Sequence, residues 1–182
     1  MIGDREFAAF TRRAIETHTE WDSLHAFLTL TEQPAGRIHV MTYMAIAPDV
    51  HPEEYPMMMA GAAAKDGLAA AAGYLLQIEA HGVTEPGPDA SPIERAAFDH
   101  ARRHREFHKL PDAVESAVAY CTDTHGQLWV AAKIRGREAE GIGQHYYAAD
   151  RLTAGGDRIG GQMVDGLIAV GRAAGRIQAA YS

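Results

Sequence analysis

Residues 113–135 read AVESAVAYCTDTHGQLWVAAKIR, two runs of small, β-branched and aromatic residues on either side of Asp123-Thr124-His125-Gly126. A two-residue period flanking a polar, glycine-containing connection predicts an antiparallel hairpin. A four-residue connection would set Tyr120 opposite Trp129, Val118 opposite Ala131 and Ser116 opposite Lys133 on one face. Ala117, Ala119, Cys121, Leu128, Val130 and Ala132 then form the other face. That second face is small and uniformly apolar, as expected beneath helices. The first combines Tyr120 and Trp129 with Lys133 and Arg135, the composition of a protein interface. Burial of both aromatics under the following segment is the competing reading, since large aromatic residues tend to be covered.

Outward from this hairpin, the same alternation recurs twice. Residues 24–47 contain two such runs around Gln33-Pro34-Ala35-Gly36 and predict a second hairpin. Its second strand is apolar or amphipathic on both faces, which predicts a central place in the sheet. Residues 73–82 predict a fifth strand, with Tyr74, Leu76, Ile78 and Ala80 on one side and Gln77, Glu79 and His81 on the other. Helical periodicity, or an Ala- and Met-rich composition, predicts helices over most of 4–18, 57–71, 92–109 and 158–179. Met57 to Ala72 has few polar residues and reads as a buried helix. The third helix opens on Ser91-Pro92-Ile93-Glu94, an N-cap, a proline at the first helical position and an early acid. The last contains Gly161, Gly166, Gly171 and Gly175, each costing roughly 1 kcal/mol against alanine, so it must bring its backbone close to a neighbour. The expected fold is α+β: a mostly antiparallel five-stranded sheet of two hairpins plus one strand, with about four helices packed mainly on one face. The 182 residues fit a single domain, 1–182, with 136–156 as a flexible or functional loop.

Composition narrows the function classes. A formal net charge of −7 disfavours nucleic-acid binding, which draws on lysine and arginine to displace counterions, although Arg95, Arg102, Arg103, Arg105 and Lys109 make one local basic patch diluted by acids. The only cysteine is Cys121, so neither an intrachain disulfide nor a cysteine-rich zinc site can form. The sequence has neither the N-terminal pattern of a signal peptide nor a run of membrane-spanning length, and a cytoplasmic location without a membrane partner is expected.

Three groups of residues could carry chemistry. His100, His104 and His108 are spaced four apart on one predicted helix, a spacing that can hold zinc. Ala101 stands where a metalloprotease helix carries glutamate, and Arg102, Arg103 and Arg105 oppose a cation, so no metal and no cofactor is expected. Glu79, His81 and Glu115 are candidates for acid–base work by a small hydrolase if they converge, with Gly141 to Tyr147 closing as a lid that carries His145. The glycines of 141–143 and 155–161 complete neither a dinucleotide fingerprint nor a P-loop.

Trp21 to Leu30, Tyr74 to Pro86, and Pro111 through Trp129 resemble segments of uncharacterised proteins from actinobacteria and their phages. The resemblance covers most of the chain and implies no activity or functional residue. The leading expectation is a non-enzymatic interaction or accessory protein, acting as a homo-oligomer or on another protein, with the acid–base hydrolase as the alternative.

Overall fold

The computed structural model describes residues 2–22, 25–34, 36–47, 49–51, 53–83, 85–104, 106–153 and 161–181. Among them, six strands form one antiparallel sheet: β1 (His25–Gln33), β2 (Arg37–Ile46), β3 (Gly73–Gly82), β4 (Val114–Asp123), β5 (Leu128–Ile134) and β6 (Gly143–Tyr147), in the order β2-β1-β3-β4-β5-β6. Five helices accompany it: α1 (Asp4–Glu16), α2 (Tyr55–Asp66), α3 (Pro92–His104), α4 (Ala149–Thr153) and α5 (Gly161–Tyr181). The α+β class, both hairpins and the 73–82 strand are as the alternation predicts. The sixth strand and the placement of helices on both faces are not.

The sheet has two cores because both faces are apolar. On one face α1 lies over β4 and β5, where Ala117, Ala119, Cys121 and Ala131 are small enough to admit a helix closely. The stripe Phe7, Thr11 and Ile15 of α1 is buried there, and the Phe7 ring stacks on Trp129 at 4.7 Å and 15°. The opposite face carries Phe27, Tyr74, Leu76, Ile78, Tyr120, Leu128 and Val130 beneath α2 and α5. The α3 helix, capped by reciprocal Ser91 and Glu94 hydrogen bonds of 2.7 and 3.2 Å, stands apart from the sheet and buries only Ala101.

The β4–β5 register differs from expectation by one residue. Asp123 pairs with Gln127, leaving a three-residue turn, Thr124 to Gly126, that ends with Gly126 at φ +83°. Cys121 therefore faces Trp129, Tyr120 faces Val130, Val118 faces Ala132 and Ser116 faces Ile134. Since a one-residue slip reverses every side chain, Tyr120 and Trp129 occupy opposite faces. Both are filled against this chain's own helices, at 9% and 3% exposure.

Four other expectations are corrected. Within the 141–147 segment, residues 143–147 form the edge strand β6, its backbone paired with β5, in place of an irregular loop. The second helix ends at Asp66, where Gly67 takes φ +80°, and one face of it is exposed, Met57 at 73%. The third helix stops at His104 and a separate 3₁₀ turn spans Phe107–Lys109. The second strand of the first hairpin, β2, is an edge strand despite its central-strand composition. For the last helix, residues 158–160 lie outside the described residues.

The glycines of α5 explain themselves. A Cβ on Gly171 would stand 2.4 Å from the Asp123 carbonyl oxygen, and one on Gly175 would stand 2.2 Å from that of Thr124. Gly166 meets Pro56 of α2 in the same way, at 2.8 Å. Gly171→Ala should cost about 1–3 kcal/mol in urea unfolding by forcing α5 off the β4–β5 turn. Gly61→Ala in α2, where nothing lies within 4 Å, should instead stabilise by about 0.5–1 kcal/mol.

Candidate functional site

The densest set of chemically capable side chains lies on the α1 face of the sheet, under the segment joining α1 to β1. Strand parity places Gln77 and Glu79 of β3, Glu115 of β4 and Lys133 of β5 on this face. Residues 17–22 leave the end of α1 and descend onto them. His18 is 8% exposed, and its Nε2 lies 2.9 Å from Glu79 Oε1. Its Nδ1 is hydrogen-bonded to the Gln77 side-chain amide nitrogen at 2.8 Å. The second oxygen of Glu79 accepts from the Asp22 amide at 2.7 Å. Asp22 is the non-glycine residue at φ 62°, a conformation that aspartate tolerates better than most side chains.

Two cations complete the set. Lys133 Nζ donates to the His18 carbonyl and sits 5.8 Å from the Trp21 ring centre. Arg135 Nη1 donates to both Glu115 oxygens at 3.0 and 2.9 Å, lies 3.4 Å from Asp22 Oδ2, and brings its guanidinium 5.3 Å from the same indole. The hydrogen bond donated to Glu115 does most to raise the Arg135 pKa, with the Glu115 charge and that of Asp22 adding to it. Carboxylate oxygens of Asp22, Glu79 and Glu115 come within 4.8 Å of one another. Arg135, His18 and the Asp22 amide already engage all three, so the arrangement is an ion-pair network that fastens residues 17–22 across the sheet.

Glu79 and Glu115 thus converge as acid–base work would need, and His81 lies on the same face directly opposite Glu115 in the β3–β4 register, whereas His145 does not join them. His81 is exposed beyond Glu79 and faces His108, ring centres 5.8 Å apart. His145 is exposed on β6, separated from β3 by β4 and β5, with its ring beside that of Tyr147. His18 is the histidine that reaches Glu79. The three candidate zinc ligands also separate: His100 and His104 lie 4.4 Å apart by ring centres, His100 Nε2 is 3.6 Å from Glu106, and the break in the helix turns His108 to His81. Cys121, beneath α1, has its thiol pushed up to about 12 by burial, against a smaller lowering by the Thr11 hydroxyl, and is no nucleophile at neutral pH. Three cavities among the described residues, of about 1090, 680 and 280 Å³, are lined by none of Glu79, His81, Glu115 or His145.

Beside the network, His25 Nδ1 is hydrogen-bonded to the Tyr55 hydroxyl. Burial holds this imidazole below its ordinary value of 6.5, with the nearby Glu79 charge opposing and His18 adding to the lowering. Comparison with known proteins adds nothing to these residues: the chain matches no family model, no curated protein and no solved structure.

Removing Glu79 leaves the buried His18 ring without its carboxylate partner and returns the exposed Asp22 amide to solvent, so Glu79→Ala should lose about 1–3 kcal/mol of unfolding free energy. A folded-state His25 pKa below 6.5 means that the unfolded chain takes up this proton first as pH falls. The contribution of His25 is therefore complete above that value and lost below it. Urea midpoints measured from about pH 7 to about pH 5 should fall less steeply for His25→Phe than for the parent chain.

Proposed function

We propose that this chain is a non-enzymatic interaction protein that self-associates by pairing its β2 edge with that of a second copy. One observation carries the proposal: β2 combines the composition of an internal strand with the position of an edge. Its ten residues, Arg37–Ile46, present one full row of backbone donors and acceptors away from β1, and they include neither lysine nor proline. Edge strands are ordinarily blunted by such residues or by brevity. The other edge, β6, is only five residues long. Tyr43 at 59% exposure and Met41 at 37% stand on β2 as large uncovered apolar groups. A bulge opposite Thr29 and Leu30 curves the strand without covering it.

Two copies related by a two-fold axis meet antiparallel, which sets Met41 of one near Tyr43 of the other and holds their cationic Arg37 ends far apart. A parallel arrangement would superpose those ends. An accessory role built on assembly also accords with carboxylates that are committed to ion pairs instead of facing a cavity. Among the described residues no helix is long and apolar enough to cross a membrane.

Light scattering across a concentration series, with a thermal melt alongside, tests the edge. Tyr43→Glu places a charge on an exposed position and should leave the melt nearly unchanged. Loss of an aromatic anchor costs about 2 kcal/mol, roughly a thirtyfold weaker dissociation constant. A parent chain that remains monomeric throughout, or a variant that assembles as well as the parent, would refute self-pairing through β2.

A further inference from the structure

The region between β3 and β4 is built unlike the rest of the molecule. Residues 85–112 leave the end of the sheet, form α3, and return through the 3₁₀ turn, and α3 buries Ala101 alone. Against α3 the flanking loops enclose an open groove of about 680 Å³. Its floor is apolar, made by Pro86, Ile93, Ala97, Phe98, Leu110 and Pro111. Ile93 is 81% exposed there, although the Ser91–Glu94 capping box beside it fixes the start of the helix. The charged part of the lining is acidic: Glu85, Asp89, Glu94 and Asp112 line the groove, and among the described residues no lysine, arginine or histidine does. Arg95 is turned to the far side of the 85–90 loop, where its guanidinium donates to the Pro88 carbonyl.

From this apolar floor and single-sign rim we infer that the α3 groove is a docking site for a cationic amphipathic helix of another protein. The length of α3, thirteen residues, offers a second helix an extended side to lie along. A partner helix with leucine-like anchors on one stripe and lysine or arginine beside it would seat the anchors on Ile93 and Phe98 and its charges against the four carboxylates. A second copy of this chain fits poorly, because each copy carries a net charge of −7 and would bring another acidic rim toward the first. The groove is separate from the β2 edge, so the two surfaces can be tested independently.

The probe is a synthetic amphipathic helix of leucine and lysine, compared with its leucine and glutamate counterpart, titrated into the full chain. Fluorescence anisotropy gives affinity, and amide shifts locate the site. The lysine helix should bind, shift amides in 85–98 and 110–112, and weaken as salt rises. Ile93→Ala removes the anchor without changing charge, and a triple Glu85→Gln, Asp89→Asn, Asp112→Asn variant removes charge while keeping the anchor. Each should lower affinity roughly tenfold with the melt retained, and the triple variant should also flatten the salt dependence. Unchanged affinity in both variants, shifts centred on Tyr43 or elsewhere, or equal binding of the glutamate helix would overturn the inference. So would a loss of self-association in Ile93→Ala, which would give the groove to a second copy.

Discussion

The register of the β4–β5 hairpin is the constraint on which the arrangement of this molecule rests. It is set by a short turn whose chemistry is local. Gly126 adopts φ +83°, a conformation that favours glycine, and the Asp123 carboxylate accepts from the His125 and Gln127 amides at 3.0 and 2.8 Å. The Gln127 side chain adds a third bond to Asp123 at 2.9 Å. The turn is then locked from above, since α5 runs Gly171 and Gly175 against the Asp123 and Thr124 carbonyls. Moving the pairing by one residue would put both aromatics on one face, either turning Trp129 toward α5 or sending Tyr120 under α1, where the strand residues are small.

With that register in place, the two faces of the sheet acquire different tasks. Trp129 stacks on Phe7 and seats α1, and the same parity carries Lys133 to the α1 face. Arg135, just past the strand end, then reaches Glu115, Asp22 and Trp21. The chain leaving α1 is held by partners from three strands, with His18 and Glu79 at its covered centre. Such pairs are costly to desolvate and costly to break, so their value lies in fixing one path for residues 17–22 more than in net stabilisation. The exposed Arg135 contacts add little by themselves, as solvent screens them.

The class of fold was legible in the sequence because hydrophobic period is a property of each segment alone. The strand at 73–82 has the predicted bounds, and the capping box of α3 was readable from Ser91 and Glu94. What the sequence concealed depended on partners far along the chain. One residue of turn length reversed the faces of β5 relative to β4, which misplaced Tyr120 against Trp129. The sixth strand was hidden in glycine-rich 141–147, whose strand character comes from pairing with β5. The apolar make-up of β2 pointed to a central strand, and its edge position is a fact of topology that composition does not encode. Of the site, Glu79, His81 and Glu115 were named as candidates, but their meeting on one face was not legible, since it depends on the β3–β4 register. His18 was missed because it ends a helix with no periodic signal and meets Gln77 only across 59 residues of chain.

The surfaces left over by this architecture are where interaction is possible: an uncovered β2 edge at one side of the sheet and an acidic apolar groove on the outlying α3. Neither follows from the ion-pair network that holds residues 17–22. The placement of Lys133, Trp129 and the α1 helix relative to those surfaces all returns to the turn at 124–126. Backbone and side-chain nuclear Overhauser contacts across β4 and β5 measure that register directly. The account predicts contacts pairing Cys121 with Trp129 and Thr122 with Leu128, together with contacts between the Trp129 indole and the Phe7 ring. Contacts pairing Tyr120 with Trp129, with the indole against α2 or α5, would contradict it.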